Sequence, residues 1–213
     1  MSLVDIERKE WMERAEQLAS ARHQCWADEE DWNRSVAWHL GEILRDILIN
    51  EENCLNVLDL GCGVGRLLLP IAKLLNGNGT AVGIDISWNM LDHAEKIFLE
   101  NGIYNYNLEV SDGRHIPAYS KPKIKFSLIY SVSMFQHIPP DAVLSYIRQS
   151  KSLLTPDGVL RFQYVAGEET APLLYQFNDL SVVQWCYKSG FKHVHMAQDP
   201  YQFNWRWVTC KNE

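Results

Sequence analysis

Three glycines at alternate positions, Gly61, Gly63 and Gly65, stand directly behind the run Val57-Leu58-Asp59-Leu60. The apolar run reads as a buried parallel strand. The residues after it, with Leu68, Ile71, Ala72 and Leu75 at helical spacing, read as a helix over 66–75. A strand, a glycine turn and a helix N-terminus together present backbone N–H groups that no side chain shields, which suits a polar or anionic ligand. Similar residues recur wherever a further strand should end. Asp85 follows the apolar residues 80–84, Asp112 follows the alternating residues 104–110, Ser131 closes the run from Phe126, and His137 lies just beyond in Gln136-His137-Ile138-Pro139. A carboxylate at Asp85 can accept both hydroxyls of a ribose, one at Asp112 can accept the exocyclic amine of adenine, and His137 can act as a base. Each also has a plainer reading: Asp85 as a helix cap, Asp112 as a turn residue or the cap of a short helix at Arg114, His137 as a structural loop residue.

Three ligand classes share a glycine turn of this kind, and spacing separates them. A phosphate-cradling P-loop ends in Gly-Lys-Ser/Thr, whereas this turn ends Gly65-Arg66-Leu67. A dinucleotide fingerprint needs a third glycine where Arg66 stands, so that helix and strand can pack closely. What remains is Asp59, Gly61, Gly63 and Gly65 in the array Asp-x-Gly-x-Gly-x-Gly.

These residues need a scaffold that brings strand ends together, and the pattern supplies one. Strands and helices alternate from residue 56 onward, which implies βαβ units and a parallel sheet. Asn76-Gly77-Asn78-Gly79 marks a turn, Ser87 caps a helix closed by Asn101-Gly102, and Asp141 opens another that carries Val143, Tyr146, Ile147 and Leu154. Pro156-Asp157-Gly158 turns into a fifth strand over 159–165. A helix near Asp179–Lys188 is followed by two strand-like runs, 191–197 and 202–210, joined at Asp199-Pro200; this hairpin places an antiparallel strand in the sheet. Upstream, Ser2 and Asp5 suggest a capping box for a helix to about Arg22, and Val36, Leu40, Ile43, Leu44, Ile47 and Leu48 a second amphipathic helix.

The chain of 213 residues, 46% hydrophobic and 22% charged, fits one folded domain with a core of ordinary size. Residues 1–53 hold six Lys/Arg against 13 Asp/Glu, so the formal charge of −7 resides there and residues 54–213 balance. No basic face for nucleic acid emerges; Lys121, Lys123 and Lys125 form only a short cluster. Five scattered cysteines without a Cys-x-x-Cys pair point to reduced thiols in the cytoplasm and to neither a disulfide framework nor a zinc site. His193 and His195 share a strand face but lack a third ligand, and no acidic cluster suits magnesium, so no metal is expected. No signal peptide or apolar membrane span is read.

Over residues 56–165 the sequence resembles class I S-adenosylmethionine-dependent methyltransferases. The glycine array, the acidic residue after the second strand, Asp112-Gly113-Arg114-His115-Ile116-Pro117 after the third and Gln136-His137-Ile138-Pro139 after the fourth carry the likeness. The resemblance implies an α/β Rossmann-like, doubly wound, mostly parallel seven-stranded sheet with the last strand antiparallel, and N-terminal helices beside it. It implies S-adenosylmethionine as cofactor, with Asp59 opening a turn in which Gly61, Cys62, Gly63 and Gly65 pass its amino acid portion and ribose along the backbone. Asp85 would take the ribose diol, Ile86 flank the adenine, Asp112 and Gly113 read its edge, and Ser131 face the methionine portion. His137 is the candidate catalytic base. The acceptor is expected to be a small molecule; a nicotinamide-dependent oxidoreductase, a non-catalytic cofactor-binding subunit and a protein or peptide methyltransferase are the rivals. Residues 1–53 form a helical cap on the 54–213 core, in which Trp32, Arg34 and Trp38 would close over the cleft and Arg34 grip the cofactor's carboxylate.

Overall fold

The computed structural model describes residues 9, 13, 29–49, 54–117, 124–167, 170–171 and 174–211. The expected capping box at Ser2 and Asp5, most of the first helix, Trp11, Cys25, Trp26, Lys121 and Lys123 lie outside these residues, as does the side chain of Trp32.

Seven strands form one sheet. In chain order they are β1 (Val57–Leu60), β2 (Ala81–Asp85), β3 (Tyr106–Val110), β4 (Phe126–Ser131), β5 (Leu154–Val165), β8 (His193–Gln198) and β9 (Trp205–Lys211); β6 (Thr170–Ala171) and β7 (Leu174–Tyr175) make a separate small hairpin. The spatial order is β3-β2-β1-β4-β5-β9-β8. All neighbours pair in parallel except β9, which runs antiparallel to both β5 and β8. The anticipated antiparallel strand is thus inserted one place in from the edge. The expected Pro156-Asp157-Gly158 turn survives as an irregularity within β5, where the register jumps from Phe126↔Leu154 to Leu128↔Val159.

Five helices are complete among the described residues: α1 (Glu29–Ile43), α2 (Leu68–Leu75), α3 (Trp88–Glu100), α4 (Pro140–Leu153) and α5 (Asp179–Lys188). Alternation along each strand divides the core in two. Leu58, Leu60, Val82 and Ile84 face α4 and α5 through Tyr146, Ile147, Val182 and Cys186. Val57, Leu128 and Tyr130 face α1, α2 and α3 through Ile43, Leu68, Ile71 and Phe98. Ser87 caps α3 by accepting from Met90 N at 3.3 Å, as its type suggests.

The second amphipathic helix ends earlier than its spacing implies. α1 stops at Ile43, Asp46 adopts a left-handed φ of 63°, and Leu48 is exposed. The physical reason comes from elsewhere in the chain. The buried Arg161 of β5 donates from Nη1 to the carbonyls of Glu42, Ile43 and Arg45 at 2.7–2.9 Å, satisfying groups that a longer helix would bond internally. Ile47 still packs on the core, so its spacing carried a packing signal without a helix.

Candidate functional site

The carboxyl ends of β1, β2, β3 and β4 meet around one cleft, the place where an open α/β sheet holds its ligands. Its wall includes Gly61, Gly63, Asp85, Ile86, Gly113 and His137 from the expected set. Ser111, Ser133, Met134 and Tyr146 also line it.

The three glycines of the turn have different surroundings. All have positive φ, at 77°, 53° and 77° for Gly61, Gly63 and Gly65. A Cβ on Gly61 would lie 2.7 Å from Met134 Cγ, and one on Gly65 2.6 Å from Phe98 Cε2, so these two permit close packing. A Cβ on Gly63 would meet nothing within 4 Å. Its backbone therefore borders open cleft, where a ligand can approach the main chain directly.

Asp85 stands beside the glycine turn at the end of β2. Its Oδ2 accepts from Gly63 N and its Oδ1 from Ser87 N, both at 2.9 Å, so this carboxylate also fixes the shape of the glycine turn. Burial raises its pKa, against the stabilising N–H groups of Ser87, Gly63 and Ile86. Asp59 lies beneath the turn, 3% exposed, and accepts from Tyr130 Oη at 2.8 Å. Burial pushes its pKa up to about 7; the Tyr130 hydrogen bond opposes the shift and the Asp85 charge adds to it. Cys62 is buried and its thiol is raised, first by burial and then by Asp59.

Asp112 stands outside the wall. Its Oδ1 accepts from Arg114 N at 2.8 Å and His115 N at 2.7 Å, and its Oδ2 lies 2.6 Å from His115 Nδ1, the geometry of a turn residue. The cleft face at this strand end is instead Ser111 and Gly113. Ser111 Oγ donates to His115 O at 3.1 Å and accepts from Gly113 N at 3.0 Å, and Tyr146 Oη lies 2.7 Å from it. Ser131 is fully buried and donates to Leu60 O at 3.0 Å. His137 ends a short 3₁₀ turn, Phe135–His137, and its Nε2 lies 3.2 Å from Gln136 Nε2. An amide nitrogen only donates, so in this arrangement His137 Nε2 accepts and Gln136 holds it as the unprotonated nitrogen.

Of the lid candidates, Arg34 and Trp38 are not among the wall residues. Arg34 is exposed and pairs with Glu30 at 3.4 Å, and Trp38 packs edge-on against Tyr201 with ring centroids 4.8 Å apart. The side chain of Trp32 is outside the described residues. α1 instead meets the glycine turn through a polar seam that the sequence did not reveal. Arg66 Nη1 donates to Ser35 Oγ at 3.2 Å, and His39 Nδ1 lies 2.7 Å from Ser35 O. A carbonyl only accepts, so Nδ1 carries the proton. Burial, and then the Arg66 charge, push the His39 pKa down to about 4. The missed wall residues have simple explanations: Ser111 sat beside a more conspicuous aspartate, and Tyr146 occupies an ordinary apolar helix position. His193 and His195 are exposed, and among the described residues no three His, Cys, Asp or Glu side chains cluster as metal ligands.

Residues 57–158 match the family model described as a methyltransferase domain. An aklanonic acid methyltransferase from Streptomyces is 37% identical over 100 residues, 46% of this chain and 42% of that protein. A ubiquinone biosynthesis O-methyltransferase from Actinobacillus pleuropneumoniae is 34% identical over 110 residues, 51% of this chain and 45% of that protein. The chain thus spans less than half the length of these curated relatives. Among solved structures, magnesium protoporphyrin IX methyltransferase from Synechocystis superposes with a TM-score of 0.73 at 16% identity, covering 100% of this chain and 98% of that one, a likeness of fold. With its glycine turn, its sheet order and the match over residues 57–158, just under half of its length, the chain is similar to methyltransferases of the class I, S-adenosylmethionine-dependent kind.

Proposed function

We propose that the protein binds S-adenosylmethionine in this cleft and transfers its methyl group to a small organic acceptor. The observation that carries the reading is that Gly63, whose main chain borders open space, and the Asp85 carboxylate beside it line the same cleft. A nucleoside fits there with its ribose hydroxyls on Asp85 and its sugar against a backbone that has no Cβ. Ile86 flanks the base, Gly113 and the turn held by Asp112 shape the far end, and Cys62, Gly65, Asp59 and Ser131 keep the floor in place. The cofactor supplies a methyl group already activated on a sulfonium, so the protein's task is alignment, and positioning alone contributes several kcal/mol. His137 stands at the cleft as the candidate base for an acceptor that must lose a proton.

Relatives named for aklanonic acid and for ubiquinone biosynthesis favour a small acceptor methylated on oxygen over nucleic acid or protein. The scattered thiols, with Cys54, Cys62, Cys186 and Cys210 free, favour the cytoplasm. No helix among the described residues is long and apolar enough to cross a membrane. Residues 1–53 serve as the cap on the core; in their described part, α1 is tied down by Arg161 and Arg66. Calorimetry tests the reading. Saturable binding of S-adenosylmethionine and S-adenosylhomocysteine, and none of NAD, is expected; binding of NAD without S-adenosylmethionine would overturn it.

A further inference from the structure

The strand ends give the cleft a direction. Along the sheet order β3-β2-β1-β4 its wall runs from Gly113 through Ile86 and Asp85 to Gly61, and ends on Ser133 and His137 beyond β4. In the proposed function, on which this inference rests, the base lies towards Ile86 and Gly113 and the ribose against Asp85. The rest of the cofactor, an amino acid with an ammonium and a carboxylate, then extends towards β4. Charged groups that leave water there need polar partners. Ser131, expected to face this portion, is fully buried and spends its hydroxyl on Leu60 O at 3.0 Å. His137 Nε2 is engaged with Gln136 at 3.2 Å.

Ser133 stands two residues beyond Ser131, lines the cleft and is half-buried. Among the described residues its hydroxyl has no hydrogen-bond partner. Its backbone is left-handed, with φ at 56°, where the Cβ of an L residue crowds its own main chain. Two other described non-glycine residues have positive φ, Asp46 and Asn76, and both are of types whose short polar side chains tolerate this region. At Gly61 and Gly63, on the same wall, the chain meets the same demand with glycine. A serine at 133 therefore keeps a strain that glycine would release, and what it adds over glycine is a hydroxyl on the cleft wall. We propose that Ser133 is a cofactor-binding residue whose hydroxyl hydrogen-bonds the charged amino acid portion of S-adenosylmethionine. It takes the place that position alone would give to Ser131.

Calorimetry on the full chain tests this with two probes. S-adenosylhomocysteine carries the amino acid portion; methylthioadenosine keeps the base, ribose and sulfur but lacks it. Ser133→Ala removes the hydroxyl and keeps the strained backbone, whereas Ser133→Gly removes both. Each variant should bind S-adenosylhomocysteine roughly tenfold more weakly than the wild type, the effect of losing a hydrogen bond to a charged group. Each should bind methylthioadenosine as the wild type does, which also reports an intact cleft. Undiminished affinity of Ser133→Ala for S-adenosylhomocysteine would overturn the proposal. So would a loss confined to Ser133→Gly, which would trace the effect to backbone freedom, or an equal loss for both probes, which would trace it to the nucleoside. A wild type that binds neither probe would overturn the cofactor reading itself, and this inference with it.

Discussion

The carboxylate of Asp85 holds Gly63 N and Ser87 N and so shapes the glycine turn; in the proposed function it also accepts a ligand's hydroxyls. Asp85→Ala removes both. A hydrogen bond to a charged group contributes ~1.5–3 kcal/mol, so S-adenosylhomocysteine affinity should fall tenfold or more, with a smaller loss of stability from the released turn. Calorimetry and a thermal melt on the same variant separate the two effects. Asp59 makes a different prediction. Its folded pKa, about 7, lies above its ordinary value of 3.8, so between those limits the native state holds a proton that the unfolded chain has lost. The stability this protonation contributes is complete below about pH 3.8 and is lost as pH rises towards 7, by up to about 1.4 kcal/mol per pH unit. Asp59→Asn cannot titrate, so in urea denaturation its stability relative to wild type should climb from pH 4 to 7 and level off above; a flat difference would contradict the assignment. At this scale the place of Gly63 and Asp85 at the strand ends that border the cleft was legible in the sequence. At Asp112 it left two readings open, because a carboxylate that serves its own turn and one that serves a ligand are the same letter.

Elements were easier to read than the contacts between them. Periodicity located every strand of the main sheet and helices α2 to α5 to within a few residues, since each buries a face that must repeat at 2 or 3.6 residues. The β6–β7 hairpin and the Phe135–His137 turn are too short to show a period. The end of α1 was unreadable because its cap is an arginine 118 positions away from Ile43. Arg161→Met should therefore leave the carbonyls of Glu42, Ile43 and Arg45 unsatisfied and destabilise the fold by about 3 kcal/mol. Amide exchange should accelerate selectively in the last turns of α1. His39 sits on the same helix with its folded pKa at about 4, below the ordinary 6.5. Here the native state binds fewer protons than the unfolded chain between those values, so stability is complete above about pH 6.5 and is lost as pH falls to 4. His39→Gln should flatten that loss. The slope is opposite to that of Asp59, so wild-type stability should vary less across pH 4 to 6.5 than either variant, measured by urea midpoints.

For the whole molecule, the sheet gathers the ends of four strands into one wall, and the cleft exists only when β1, β2, β3 and β4 are all in register. A ligand held there binds the native state and not the unfolded chain, in which Gly63, Asp85 and Gly113 are far apart. Binding must then raise the stability of the entire domain by RT ln(1 + [L]/Kd), about 2.7 kcal/mol when the ligand is at 100 times its Kd. For a chain of this size each kcal/mol moves the melting midpoint by about 2–4 °C, so saturating S-adenosylhomocysteine should raise it by roughly 5–10 °C. Adenosine keeps the base and ribose but lacks the amino acid portion, and should give a smaller rise at equal concentration. NAD should give none, because Arg66 stands where close helix packing in a dinucleotide fold needs glycine. The Asp85→Ala variant supplies the internal control: at the same ligand concentration its shift should shrink by about 1.4 kcal/mol for each tenfold loss of affinity, or roughly 3–6 °C. An undiminished shift in that variant would place the stabilising contact elsewhere on the molecule and would remove the main support for ribose at Asp85.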